Sequence, residues 1–241
     1  MKPLNIGIIG LGTVGMGLIK CLINNKNIIK SKSERVISIA AICAKNKNKK
    51  RNFDIGNLKW VQDPFDITDD KEIDVVVELI GGDENPSKSI VEKSLLNKKH
   101  VVTANKALIA KHGHHLALLA EEQQVCLNFE AAVAGAIPII KAIKESLSGN
   151  VISKVYGVIN GTCNYILTQM EKEEKEYISI FKKAQQLGYV EKDPQLDVGG
   201  IDSAHKISIL ATCAFGTRIN FENVMTNGIQ NISLIDIKNA F

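Results

Sequence analysis

The sequence predicts an α/β protein in which a doubly wound parallel sheet is followed by a second, α+β domain. Three observations carry that prediction. Up to residue 130, short runs rich in Val and Ile alternate with amphipathic stretches, as strands alternate with crossover helices. The first run closes on Gly10, Gly12 and Gly15, a G-x-G-x-x-G spacing between a strand and a helix. Past residue 130 the alternation stops and longer segments take over, which sets the expected boundary near Glu130, with domains at 1–130 and 131–241.

Taken in order, "LNIGIIG", "RVISIAAIC", "LKWVQ", "IDVVVELI", "HVVTA" and "QVCLNFE" are short, β-branched and bounded by polar residues or glycine, so each reads as a strand. Residues 14–22, 87–97 and 106–123 read as the helices between them. In the second domain, 131–147 reads as a helix with Pro138 near its start and 152–160 as a strand. Residues 162–173 and 176–188 read as helices, and a loop leads into a last helix at 201–214.

A chain of 241 residues that is 45% hydrophobic can bury a sizeable core. Its net charge of +4 is modest and calls for no nucleic-acid partner. No run approaches the ~20 apolar residues that span a bilayer, and the N-terminus lacks the progression of a signal peptide, so a cytoplasmic protein without a membrane partner is expected. Cys21, Cys43, Cys126, Cys163 and Cys213 are isolated and sit mostly in apolar segments, as reduced thiols do. The "HGHH" run at 112–115 has no ligand cluster beside it and is not read as a metal site.

The glycine motif has a specific physical use. Gly10 permits a tight turn, Gly12 lets a pyrophosphate approach the backbone, and Gly15 lets helix and strand pack closely. The N–H groups of Thr13 and Val14, at the helix start, then face the phosphates. The first domain is therefore expected to be a Rossmann-type dinucleotide-binding domain. An NAD-specific protein usually presents an acid at the end of the second strand; here Ala44, Lys45 and Asn46 stand there and open the run "KNKNKKR" at 45–51. That run is either a solvated loop or a seat for a 2′-phosphate, and its position favours NADP(H), with NAD(H) still accepted.

Near the C-terminal end, "EKDPQLDVGGIDSAHK" places Glu191, Asp193, Asp197 and Asp202 ahead of Lys206. Asp202 and Lys206 fall at i, i+4 on one helix face, a spacing shared by a reactive pair and by an ordinary solvated helix start. The chemistry that would use them is aldehyde reduction, which needs a proton and a cation where alkoxide charge develops. Lys206 can supply both, Asp202 can orient it, and Glu191 and Asp197 can accept hydrogen bonds from a substrate ammonium. His205 points about 100° away on an ideal helix and reads as packing or surface.

Together, "VVVELIGG" (75–82), "VVTANKALIA" (101–110), "FEAAVAGAIPII" (129–140), "GVINGTCNYIL" (157–167) and "LGYVEKDPQLDVGGIDSAHK" (187–206) resemble homoserine dehydrogenase, in the family's order and through nearly the whole chain. The resemblance implies interconversion of homoserine and aspartate 4-semialdehyde with a nicotinamide cofactor, in threonine, methionine and isoleucine biosynthesis. It puts the proton donor on Lys206 and substrate contacts on Glu191 and Asp202, with Asp197 nearby. Lys106 matches a lysine at the cofactor–substrate junction, Gly161 and Thr162 the turn that receives the substrate carboxylate, and Gly188 a cofactor contact. A structural sodium ion would fall on Glu130, Val133, Gly135 and Ile137, and a homodimer would form through the second domain. The family's chain normally continues beyond the point matching Phe241, so this chain is expected to be shortened relative to it, its second domain incomplete and its activity alone reduced. Two other readings stay open. One is a semialdehyde dehydrogenase that forms a thioester on Cys163, and the other is a non-catalytic NADP-binding regulatory or assembly subunit.

Overall fold

The computed structural model describes residues 2–190 and 194–240. It divides into two compact units, Met1–Ser146 and Leu147–Phe241.

The first unit is built on a parallel sheet. Strand β1 (Leu4–Ile9) leads into helix α1 (Thr13–Asn24), a short polar helix α2 (Lys26–Ser33) and β2 (Ile37–Cys43). Helix α3 (Pro64–Asp69), β3 (Val75–Glu78), α4 (Ser87–Leu96), β4 (His100–Thr103), α5 (Lys106–Glu122) and β5 (Leu127–Asn128) follow. The five strands lie in the order β2-β1-β3-β4-β5, so the order reverses between β1 and β3. A crevice outside the carboxyl ends of the strands at such a point is where open α/β sheets bind ligands.

Alternation along the strands explains the two-sided core. Ile6, Ile8, Val75 and Val77 pack on one face with Ile19 of α1, while Ile9, Val76 and Ile73 pack on the other with Ile67 of α3 and Ile90 of α4. Ile8, Ile19, Ile67 and Ile90 are fully buried, and each such side chain contributes about 1.5–3 kcal/mol relative to exposure.

Three expected elements differ. The "LKWVQ" stretch makes a single bridge, Ile42 to Trp60, because Asp63 and Pro64 begin α3 too soon for a ladder to extend. The expected helix 131–147 is broken into α6 (Glu130–Val133), α7 (Ile139–Lys141) and a π turn at Ala142–Ser146. Ala136 takes a left-handed φ of 63° and Pro138 offers no N–H, so no continuous helix can pass. Glu130 ties the pieces together by accepting the N–H groups of Ile140 and Lys141 at 2.8 and 2.9 Å. The unit thus continues to Ser146, past the start of α6 at Glu130.

The second unit contains α8 (Gly161–Glu173), α9 (Tyr177–Gln186), α10 (Pro194–Val198), α11 (Ile201–Phe215), a 3₁₀ turn at Phe221–Asn223 and α12 (Leu234–Asn239). Its core gathers Ile166, Met170, Tyr177, Ile180, Ala184 and Val198. The expected strand 152–160 joins no ladder among the described residues. Tyr156 and Val158 stay mostly exposed, since an apolar run becomes a strand only where another strand pairs with it. Among the described residues, no helix is long and apolar enough to cross a membrane.

Candidate functional site

Each unit gathers its own set of polar groups. In the first unit, Gly10 has a φ of 104°, and a Cβ there would overlap the Leu79 carbonyl, so only glycine lets the β1 turn lie against the loop after β3. A Cβ on Gly15 would strike the Gly10 carbonyl, while one on Gly12 would meet nothing within 4 Å. Gly12 is the N-cap of α1 and makes no side-chain cap, so the exposed N–H groups of Thr13 and Val14 sit at the positive end of a twelve-residue helix. This cradle fits the pyrophosphate of a dinucleotide.

The basic run forms a loop after β2. Arg51 does not reach outward as the run of charge suggested. Its guanidinium donates to the carbonyls of Asn46, Lys47 and Lys49 at 2.7–3.0 Å and stacks on the Trp60 ring at 5.4 Å. The loop is thus folded around Arg51, Lys45 is exposed, and Lys47, Lys49 and Lys50 line a cavity of about 550 Å³ with Arg51.

Sequence reasoning missed a buried network at the same end of the sheet. Glu78, fully buried at the end of β3, accepts the N–H groups of Ile80 and Gly81 at 2.8 and 3.3 Å and the Thr103 hydroxyl at 2.6 Å. Thr103 accepts the Asn105 N–H at 3.0 Å, and Asn105 donates from its side chain to Gly82 at 2.6 Å and caps α5 by accepting from Leu108. A carboxylate that satisfies this many donors locks the loop after β3 to the loop after β4 and fixes the start of α5, where half-buried Lys106 stands. The clue in the sequence was an acid closing the all-valine run of "VVVE".

Of the implied sodium ligands, Val133 is buried and Gly135 and Ile137 are exposed on the turn around Ala136. A carboxylate and backbone carbonyls are the donor chemistry of a hard cation. The Ile137 carbonyl already accepts the Ile139 N–H at 2.8 Å, so it would serve both partners. The described residues hold no cluster of three or more His, Cys, Asp or Glu suited to a metal.

In the second unit, the structure brings Asp197, Asp202 and Lys206 together. Gly200 takes a φ of 87° and turns the chain into α11, so that Asp202 lies in its first turn and Lys206 one turn on. Lys206 Nζ lies 2.7 Å from Asp202 Oδ2 and donates to the Ile159 carbonyl at 3.1 Å. The Asp202 side chain is 5% exposed and that of Lys206 17%. That burial decides against an ordinary solvated pair, which would contribute only about 0.3–0.5 kcal/mol.

Asn160, which sequence reasoning passed over, donates from its amide to Asp197 and to Asp202, both at 3.0 Å. Gly161 opens α8, and the Thr162 hydroxyl donates to the Tyr189 carbonyl at 3.0 Å. Gly188 has a φ of 77° at the end of α9. Glu191 lies outside the described residues. His205 packs its ring on Phe221.

Cys163 donates its thiol to the Asp197 carbonyl at 3.3 Å. Burial first, then the Asp197 and Asp202 carboxylates, push that thiol above its ordinary pKa. A thiol so placed is a poor nucleophile, which weighs against the thioester reading.

Comparison with known proteins covers both units. Residues 10–130 match the family model "Homoserine dehydrogenase, NAD binding domain" and residues 138–241 the model "Homoserine dehydrogenase". The chain is 45% identical over 240 residues to the homoserine dehydrogenase of Neisseria gonorrhoeae, covering 100% of this chain and 55% of that one. The crystal structure of a homoserine dehydrogenase from Thiobacillus denitrificans superposes with a TM-score of 0.95 at 44% identity, over 99% of this chain and 55% of that one. A hyperthermophilic archaeal homoserine dehydrogenase in complex with NADPH superposes at 0.83 with 25% identity, over 96% and 75%. The chain spans about half the length of the curated relatives it matches.

Proposed function

The chain belongs to the homoserine dehydrogenase family, and from that premise we propose that it interconverts L-homoserine and L-aspartate 4-semialdehyde by hydride transfer with a nicotinamide cofactor. The reaction belongs to the aspartate-derived route to threonine, methionine and isoleucine, and the enzyme works as a cytoplasmic homodimer. Residues 1–130 hold the cofactor, and residues 131–241 bind substrate and pair the subunits.

The observation that carries this reading is the buried Asp202–Lys206 pair. The chemistry that a nicotinamide would supply, held by the glycine turn of the first unit, is to accept or return a hydride at the carbon bearing the oxygen. In the oxidising direction Lys206, as the free amine, takes the hydroxyl proton; in the reducing direction its ammonium returns that proton as the aldehyde oxygen becomes an alkoxide. Asp202 holds the lysine at 2.7 Å and offsets its charge away from water. Asp197 and Glu191 receive the substrate ammonium. Gly161 and Thr162, at the start of α8, receive its carboxylate on free N–H groups. By likeness to the family, Gly188 and Lys106 are assigned to the cofactor, and Lys106 to the substrate as well.

On the cofactor side, Gly10, Gly12, Thr13, Val14 and Gly15 cradle the pyrophosphate. Lys45 and the lysines of the loop folded by Arg51 seat a 2′-phosphate, which favours NADP(H) over NAD(H). A sodium ion on Glu130, Val133, Gly135 and Ile137 would steady the turn between α6 and α7. The test is homoserine-dependent reduction of NADP⁺ by the purified chain, followed by nicotinamide absorbance. Turnover above a no-homoserine control supports the reading; tight NADPH binding without any homoserine-dependent turnover would favour the non-catalytic subunit.

A further inference from the structure

We propose that Asn160 is a positioning residue that sets the spacing of the two buried carboxylates in the second unit, an assignment that rests on the homoserine reading for its functional part. A carboxamide has two N–H donors on one nitrogen and one carbonyl acceptor. Here each has a separate duty. One N–H goes to Asp197 Oδ1 and the other to Asp202 Oδ2, both at 3.0 Å, while the carbonyl accepts the Cys163 N–H at 2.8 Å and caps α8. Asn160 is itself only 7% exposed.

The physical need is clear from what the site must do. Asp197 and Asp202 are 8% and 4% exposed, and two carboxylates this close repel in a medium of low dielectric. Lys206 offsets the charge of Asp202, and a further cation between the two acids would cancel the negative charge on Asp197 that a substrate ammonium needs. An amide donates to both without adding charge. Asp197 therefore keeps its second oxygen, Oδ2, buried and without a hydrogen bond among the described residues, and held in direction by the bond on Oδ1. Asp202 keeps its charge for Lys206. The preceding residue completes the arrangement, since the Ile159 carbonyl takes a second hydrogen bond from Lys206. One short segment, Ile159–Asn160, thus holds the lysine from its backbone and both acids from its side chain.

Capping alone does not account for this use of the residue. Serine caps a helix about as well as asparagine, but its single hydroxyl donor cannot bridge two carboxylates. Asn160→Ser therefore separates the duties, and the near-isosteric Asn160→Asp retains a capping oxygen while replacing the donor with a third carboxylate. The experiment measures kcat and KM for homoserine, NADPH affinity and thermal midpoint on the 241-residue chain. Expected for Asn160→Ser are a KM raised about 10-fold, a kcat lowered by about 10- to 100-fold, as small misplacements cost, and an NADPH affinity within about twofold of the parent. Asn160→Asp is expected to be worse in KM. Parent-like kcat and KM in Asn160→Ser would overturn the proposal and leave a simple cap. A readout independent of turnover is the cycle of Asn160→Ser with Asp197→Asn. If the amide bridges the acid, the double variant loses less thermal stability than the two single losses added together; additive losses overturn the bridge. A parent that binds NADPH but does not oxidise homoserine would count against the homoserine reading, and the cycle would still decide whether Asn160 holds the two acids.

Discussion

Asp202 stands 2.7 Å from Lys206 and offsets the charge of its ammonium where little water reaches. Lys206→Ala is expected to lower turnover by roughly 10²- to 10⁴-fold, the usual contribution of an acid–base group. NADPH affinity, measured by titration, is expected to stay near the parent value, because the dinucleotide cradle lies on Gly10–Gly15 of the first unit. Near-parent turnover in that variant would reduce the pair to a structural contact. The i, i+4 spacing made Asp202 and Lys206 visible in the sequence, because both lie on one helix. Asn160 was not visible in that way. It meets Asp197 and Asp202 from positions 37 and 42 residues away, and an asparagine before a helix reads first as a cap.

Loops do at the next scale what side chains do at the first. The basic loop after β2 holds its shape through Arg51, whose fork takes three backbone carbonyls, so the lysines are free to meet an anion. Replacing Lys45, Lys47, Lys49 and Lys50 with alanine is expected to weaken NADPH binding more than NADH binding. Equal losses for both cofactors would remove the 2′-phosphate from this loop. A second loop pair depends on Glu78. Glu78→Leu is expected to leave the fully buried Thr103 hydroxyl without its acceptor, at about 1–3 kcal/mol for a buried group left unsatisfied, and to release the N–H groups of the exposed Ile80 and Gly81 from the turn that Glu78 holds. A lowered denaturant midpoint together with weaker NADPH binding checks this, and Trp60, the single tryptophan, offers a fluorescence signal beside the basic loop. Element types followed from the residue pattern in β1, β2 and β3, where each short β-branched run also finds a parallel partner in the sheet. Periodicity failed at 131–147, where it does not register a left-handed residue such as Ala136, and at 152–160, where pairing depends on a neighbour.

Across the whole molecule, the charged surface sets how stability responds to pH. Lys93 holds Asp69, Lys111 holds Asp83 and Glu84, and Lys183 holds Glu173, each below the ordinary carboxylate range. A depressed folded pKa gives stability that is present above the unfolded values of 3.8 and 4.5 and is lost as pH falls through the folded ones. At the other end, burial, and then Asp63 and Asp66, push the Cys43 thiol from 9.0 to about 11. That contribution is complete below 9.0 and is lost as pH rises through about 11. Lys99, lowered by burial, acts in the opposite direction, so the alkaline limb is best read as the difference between the parent and Cys43→Ala. Thermal midpoints are expected to be flat from about pH 5 to 9 and to fall on both sides, with a shallower alkaline fall in Cys43→Ala; identical alkaline limbs would remove Cys43 as the cause. By itself, the sequence determined what local rules can encode: the strand–glycine–helix start, the valine-rich strands and the acid–lysine spacing in α11. Each depends on residues within a turn or a strand length of one another. Only the tertiary structure decided that Arg51 folds its own loop, that Glu78 joins two loops, and that Asn160 stands between Asp197 and Asp202. In these cases the partner is a backbone carbonyl, or a side chain many residues away, and no periodicity records it.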